Sequence, residues 1–215
     1  MLLDTLGLIG AVEIVSRGES GLGAATGGGS EGSSVTRTGA ELKAYWVESA
    51  CSYRWDPKCS VAVCALLREI VLSERLVGTV ANRMLRQLRE VELTELPAMV
   101  YQLLLFARNG YRQEIIGGIF SVFDALEVEG GRELADIEGT VMLHISYSIK
   151  QDLDLGSAVV AYAKEINGVS RSLSTFSFAC LLSLARIHRF EETITGFLRT
   201  TVIKSIHDSL VLDTT

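Results

Sequence analysis

The stretch LTELPAMVYQLLLFARNGYRQEIIGGIFSVFDAL, Leu93 to Leu126, reads as two helices joined by one tight turn. Thr94 stands as the N-cap of a helix over Glu95–Asn109. Pro97 falls in its first turn, where a missing amide breaks no bond, and Gly110 closes it. Tyr111 to Leu126 makes the second helix. Ile115, Ile119, Val122, Phe123 and Leu126 recur along it at three- and four-residue steps, the period of one buried helical face.

The same signals repeat outward from this pair. Upstream, Thr38 with Glu41 has the form of a capping box, and Leu42, Tyr45, Trp46 and Ser49 mark a face. Asp56 and Pro57 open a helix over Lys58–Ile70. Ser73 caps another to about Glu90, with Leu76, Val80, Met84, Leu85 and Leu88 as its stripe. Downstream, a helix ending near Lys150 turns Ile137, Val141, His144, Ile145 and Ile149 inward. Asp152 starts the next, through about Ile166, and Asn167-Gly168 ends it. Ser174 caps Thr175 to His188, and a last helix or pair of helices runs from about Phe190 to Leu210.

Roughly ten amphipathic helices with short connections predict an all-α chain whose consecutive helices pack as antiparallel neighbours. One helical hairpin cannot bury its apolar surface alone, so such hairpins stack into an antiparallel α-solenoid of armadillo or HEAT type. The pattern is also compatible with a compact helical bundle. Two segments precede the repeats. Residues 1–15 are apolar enough for a leading helix, with strand possible. Residues 16–35, SRGESGLGAATGGGSEGSSV, cannot offset their ordering entropy by burial and read as a disordered Gly/Ser linker. A solenoid segment is expected over 36–167, and the start of a following helical domain over 168–215.

Composition excludes several functions. The net charge of −6 offers no overall basic surface, so any DNA contact requires a local cluster of Lys and Arg. The four cysteines, at 51, 59, 64 and 180, include no CxxC pair, and the three histidines lack ligand spacing; buried free thiols are expected, and no metal site. The longest uncharged run, Ser172 to Ala185, is 14 residues, too short to span a bilayer, and the opening lacks the basic n-region of a signal peptide. A soluble intracellular protein is expected.

Catalytic motifs are also wanting. Gly21-Leu-Gly23-Ala-Ala-Thr26 imitates a dinucleotide fingerprint, but no βαβ pattern follows and no Gly-Lys-Ser/Thr is present. There is no HExxH and no nucleophile–base pair, so no enzyme and no cofactor are expected. His144 reads as a hydrogen-bonded core histidine. The suggestive charges lie near the C-terminus: Arg171, Arg186, Arg189, Arg199 and Lys204 are DNA-contact candidates, able to meet phosphates from one rim of a curved solenoid without reading bases. Arg83, Arg86 and Arg89 form a second basic group, offset by Glu90, Glu92 and Glu95.

Three stretches resemble the Fanconi anaemia complementation group I family. They are TGAELKAYWVESACSYRWD (Thr38 to Asp56), Leu93 to Leu126 with its Leu-Pro-x-x-Val-Tyr-Gln-Leu-Leu run, and IEGTVMLHISYSIKQDLDLG (Ile137 to Gly156) continuing into FSFACLLSLARIHRF and TTVIKS (Phe176 to Ser205). The resemblance covers about Thr38 to Leu210. It implies the end of that family's first solenoid segment and, from about Asn167, the start of its first helical domain. It further implies a nuclear scaffold for interstrand crosslink repair that pairs with the Fanconi anaemia D2 paralogue and closes around double-stranded or branched DNA, with no membrane and no small-molecule substrate. The family's ubiquitin acceptor lysine lies beyond this chain. The Gly-rich insert departs from the family, and the missing flanks suggest a fragment or truncated gene model. The rival function is a generic armadillo- or HEAT-like adaptor that binds protein alone.

Overall fold

A computed structural model describes residues 39–129, 132–168 and 174–212. The leading segment, the Gly/Ser linker, the Thr38 cap and Arg171 lie outside the described residues. Those described contain no strand. They form nine α-helices: α1 (Gly39–Ser52), α2 (Ser60–Glu69), α3 (Glu74–Leu88), α4 (Leu96–Phe106), α5 (Arg112–Glu129), α6 (Arg132–Gln151), α7 (Leu153–Gly168), α8 (Thr175–Ala185) and α9 (His188–Leu212). Single 3-10 turns lead into α2 and α4 and follow α4.

Local chemistry accounts for the boundaries. Asp56 caps the 3-10 turn before α2, its carboxylate accepting from the Lys58 amide at 3.0 Å, with Pro57 at the first position. Ser174 caps α8 by accepting from the Ser177 amide at 3.1 Å. Gly110, at φ +126, ends the turn after α4, where a side chain would be strained. The expected Thr94 cap does not form. Thr94 sits inside the 3-10 turn Leu93–Glu95, and Glu95 takes the N-cap position of α4 without a side-chain bond.

The chain divides into two compact units, Met1–Arg54 with Leu72–Val80, and Trp55–Val71 with Ala81–Thr215. In the smaller unit, Val47 and Cys51 of α1 and Leu76, Val77 and Val80 of α3 are buried, and Arg75 Nη2 meets Glu48 Oε1 at 2.6 Å. The face expected on α1 is therefore corrected. Tyr45 is exposed and Leu42, Trp46 and Ser49 are only half-buried, because Val47 and Cys51 point inward instead.

In the larger unit, alternate helices pack on one another. α2, α4, α6 and α8 follow in one layer, and α5, α7 and α9 in the other. Consecutive helices also touch, α8 and α9 extensively, yet through the middle of the unit the broader contacts join every second helix. Helix α5 shows why. It buries Ile116 and Phe120 in addition to Ile115, Ile119, Val122 and Phe123, so its apolar surface is wider than one stripe and needs neighbours on two sides.

Side-chain pairs give the directions. Cys64 meets Met99 (Sγ–Sδ 3.5 Å) and, one turn on, Arg68 donates to Gln102 (3.0 Å), so α2 and α4 run the same way. Arg112 and Asp152 join the starts of α5 and α7, while Tyr162 donates to Asp124 (2.8 Å) farther along both. Those two helices are parallel as well. Since α6 leaves the end of α5 and delivers the chain back to the start of α7, it runs antiparallel to both. Such stacking of parallel alternate helices is that of an α-solenoid.

An aromatic cluster sits where α5, α7 and α8 converge. Phe123 stacks on Phe176 with centroids 4.2 Å apart, and Phe120 lies 5.1 Å from Tyr162 and 5.4 Å from Phe176. Each such pair contributes about 0.5–1.5 kcal/mol beyond its burial. Asp124 also accepts from Ser177 Oγ at 3.3 Å, tying the cap of α8 to α5. Gly118 lets α3 approach α5: Leu85 Cδ2 lies 2.5 Å from where a Cβ on Gly118 would stand.

Candidate nucleic-acid interface

The parallel layer places the ends of alternate helices along one rim. Asp152, directly after α6, holds Arg112, directly after the α4–α5 turn, through Nε and Nη2 at 2.9 Å each. Asp152 Oδ1 also accepts from the Asp154 amide at 3.1 Å, which caps α7. The Phe190 ring in the first turn of α9 rests against Gly156 in the first turn of α7. Three chain reversals are thus neighbours: the α4–α5 turn, the α6–α7 link and the α8–α9 corner.

Arg186 stands exposed in that corner, its amide donating to Ser183 O, and Arg189 is exposed in the first turn of α9 with its guanidinium carbon 6.0 Å from the Phe190 ring centroid. These two candidates are brought together. Arg199 is exposed on α9 ten residues beyond Arg189, about 15 Å farther along the axis and roughly a quarter-turn round. It belongs to a different part of the surface. Lys204 is on α9 with its side chain outside the described set.

The rim adds two cations that sequence reasoning passed over. Arg108, in the turn after α4, and Lys150, in the last turn of α6, are both exposed. Each is a lone basic residue at a helix end, where the helix dipole alone explains it, so only the stacking reveals the row. Among the described residues, Arg108, Lys150, Arg186 and Arg189 make no ion pair. Asp154, Glu191 and Glu192 are exposed beside them, and Glu191 Oε2 faces His188 Nδ1 at 3.4 Å. The second basic group is weaker than its sequence spacing implied. Arg83 is buried with its guanidinium 4.5 Å above the Trp55 ring, leaving only Arg86 and Arg89 exposed.

Cys51, Cys64 and Cys180 are buried thiols, and Cys59 is half-buried. Burial, with the Glu138 carboxylate as a lesser cause, pushes the Cys180 thiol up to about 12. His144 is half-buried, 5.0 Å from the Tyr101 ring, and burial lowers its pKa. Among the described residues no group of three or more His, Cys, Asp or Glu is arranged to hold a metal, and no helix is long and apolar enough to cross a membrane.

Comparison with known proteins agrees with this architecture. A family model described as FANCI solenoid 1 matches residues 30–150, and one described as FANCI helical domain 1 matches residues 154–214. The Fanconi anemia group I protein of Gallus gallus is 32% identical over 194 residues, covering 81% of this chain and 14% of that protein. The Fanconi anemia group I protein homolog of Mus musculus is 32% identical over 192 residues, with the same coverage of each. The chain therefore spans 14% of the length of these curated relatives. With two successive FANCI segments matched and an α-solenoid stack beneath them, the chain belongs to the FANCI family.

Proposed function

We propose that this chain is a scaffold segment of the Fanconi anaemia DNA-repair pathway, acting in the nucleus in interstrand crosslink repair. In this reading it is no enzyme; it pairs with the D2 paralogue and holds double-stranded or branched DNA non-specifically. Family membership supports the pathway. The observation that carries the DNA contact is the rim row of Arg108, Lys150, Arg186 and Arg189, all exposed and without ion pairs among the described residues. Cations at the ends of stacked helices meet phosphates without reaching base edges, which gives affinity without sequence preference. The intervening carboxylates and the net charge of −6 keep that affinity low and sensitive to salt.

The test is duplex-DNA affinity by fluorescence anisotropy at several salt concentrations between roughly 50 and 200 mM. Four phosphate contacts predict a log–log slope of about −3.6, reduced by about 2 when Arg186→Glu and Arg189→Glu are combined. Absence of binding at the lowest salt, or a slope indifferent to those substitutions, overturns the DNA assignment. Co-purification with the D2 paralogue tests the pairing separately, and its failure removes that half alone.

A further inference from the structure

The outer face of α6 and α8 is apolar where a solvated helix should be polar. Leu143 and Tyr147 on α6 are 72% and 57% exposed, and Phe178 and Leu182 on α8 are 38% and 47% exposed. In each pair the residues are four apart and stand one above the other.

The two pairs share one surface. Ser146 and Ser183 hydrogen-bond between the helices at 2.9 Å, and Ser177, in the first turn of α8, donates to Asp124 near the end of α5, where α6 begins, so α6 and α8 run the same way. At about 100° per residue, Leu143 and Tyr147 then lie on one side of Ser146, and Phe178 and Leu182 on the matching side of Ser183. The result is a furrow with small serines at its floor and two apolar ridges.

Its ends differ in charge. The exposed stripe of α6 reads Asp136, Thr140, Leu143, Tyr147, Lys150, and Arg186 ends the stripe of α8 beside Lys150. One end is basic and the other acidic.

We propose that this furrow receives an amphipathic α-helix, supplied in trans, whose apolar stripe lies between the ridges and whose acidic end meets Lys150 and Arg186. The apolar ridges fit a helix better than a nucleic-acid backbone, since they offer nothing to phosphate. The paired cations select an acidic terminus over a basic one. The inference shares Lys150 and Arg186 with the DNA reading, while its apolar ridges take no part in that reading, so substitutions on the ridges separate the two.

The probe is a fluorescein-labelled helical peptide of about 18 residues with leucines at steps of three and four and two glutamates in one terminal turn. Its counterpart carries lysines in place of those glutamates. Anisotropy with the 215-residue chain is expected to show the glutamate peptide binding at least about fivefold tighter. Combining Leu143→Ser with Leu182→Ser weakens it about tenfold while duplex-DNA affinity stays unchanged. Lys150→Glu with Arg186→Glu reverses the peptide preference, and this pair decides the matter if the leucine variant fails to fold by circular dichroism. Equal binding of the two peptides, or indifference to the leucine substitutions in a folded variant, overturns the proposal. So does sedimentation showing a dimer that the leucine substitutions dissociate, since a second copy then owns the face.

Discussion

The Phe190 ring fills the space that a side chain on Gly156 would require: its Cε2 and Cζ lie 2.5 Å from where a Cβ would stand, with Ile149 Cγ2 at 3.1 Å. This contact seats the α8–α9 corner against α7, and it depends on the absence of a methyl group. Gly156→Ala therefore overpacks a buried site and lowers stability by about 1–3 kcal/mol, read as a fall in Tm by circular dichroism. Gly139, mid-helix in α6 with nothing within 4 Å of a built Cβ, is the control. Gly139→Ala raises stability by roughly 0.5–1 kcal/mol through helix propensity alone.

Asp152 serves two helices at once. Asp152→Asn keeps an oxygen for the Asp154 amide but loses the charge that holds Arg112; Asp152→Ala loses both. Urea denaturation should rank them wild type, Asn, Ala, with the step from Asn to Ala about 1 kcal/mol, the worth of a cap. Equal losses would show that the cap contributes nothing.

Gln87 is fully buried, and neither its Oε1 nor its Nε2 has a hydrogen-bond partner among the described residues. A buried amide without partners costs about 1–3 kcal/mol, and methionine has a similar shape without that cost. Gln87→Met is expected to raise the denaturation midpoint at unchanged m-value. A lower midpoint would reveal an ordered water on the amide.

His144 gives a pH signature. Burial holds its folded pKa below the ordinary value of 6.5, so below pH 6.5 the unfolded chain binds the proton more readily than the folded one. This contribution to stability is complete above pH 6.5 and is lost as pH falls through the lower folded value. His144→Phe should flatten that part of the stability–pH profile, and an unchanged profile would assign the slope to other groups.

Much of the architecture is legible in the sequence, because local signals set it. Asp56-Pro57, Ser174 and Gly110 mark boundaries through their own backbone chemistry, and the stripe of α3 is buried at Leu76, Val80, Met84 and Leu88, with Leu85 half-buried. What failed to show were properties of neighbours. The inward face of α1 and the second face of α5, with Ile116 and Phe120, are set by packing partners remote in sequence. Thr94 has the right chemistry for a cap, yet a 3-10 turn precedes α4 and moves the helix start past it. For the candidate site, Arg186, Arg189 and Arg199 are exposed, and only the first two share the rim. Arg108 and Lys150 joined the row only once α4 and α6 were seen to end on the same rim, and Arg83 left its group once Trp55 was found beneath it.

The claim beneath all of this is that alternate helices run parallel, which puts every second chain reversal on one rim. Spin labels at exposed Glu114 on α5 and at exposed Asp154 or Lys164 on α7 test it through pulsed dipolar distances. Parallel stacking predicts a shorter 114–154 distance, with Lys164 displaced from Asp154 by about 15 Å along the axis of α7. A shorter 114–164 distance would mean that α5 and α7 run in opposite directions, and the shared rim would not exist.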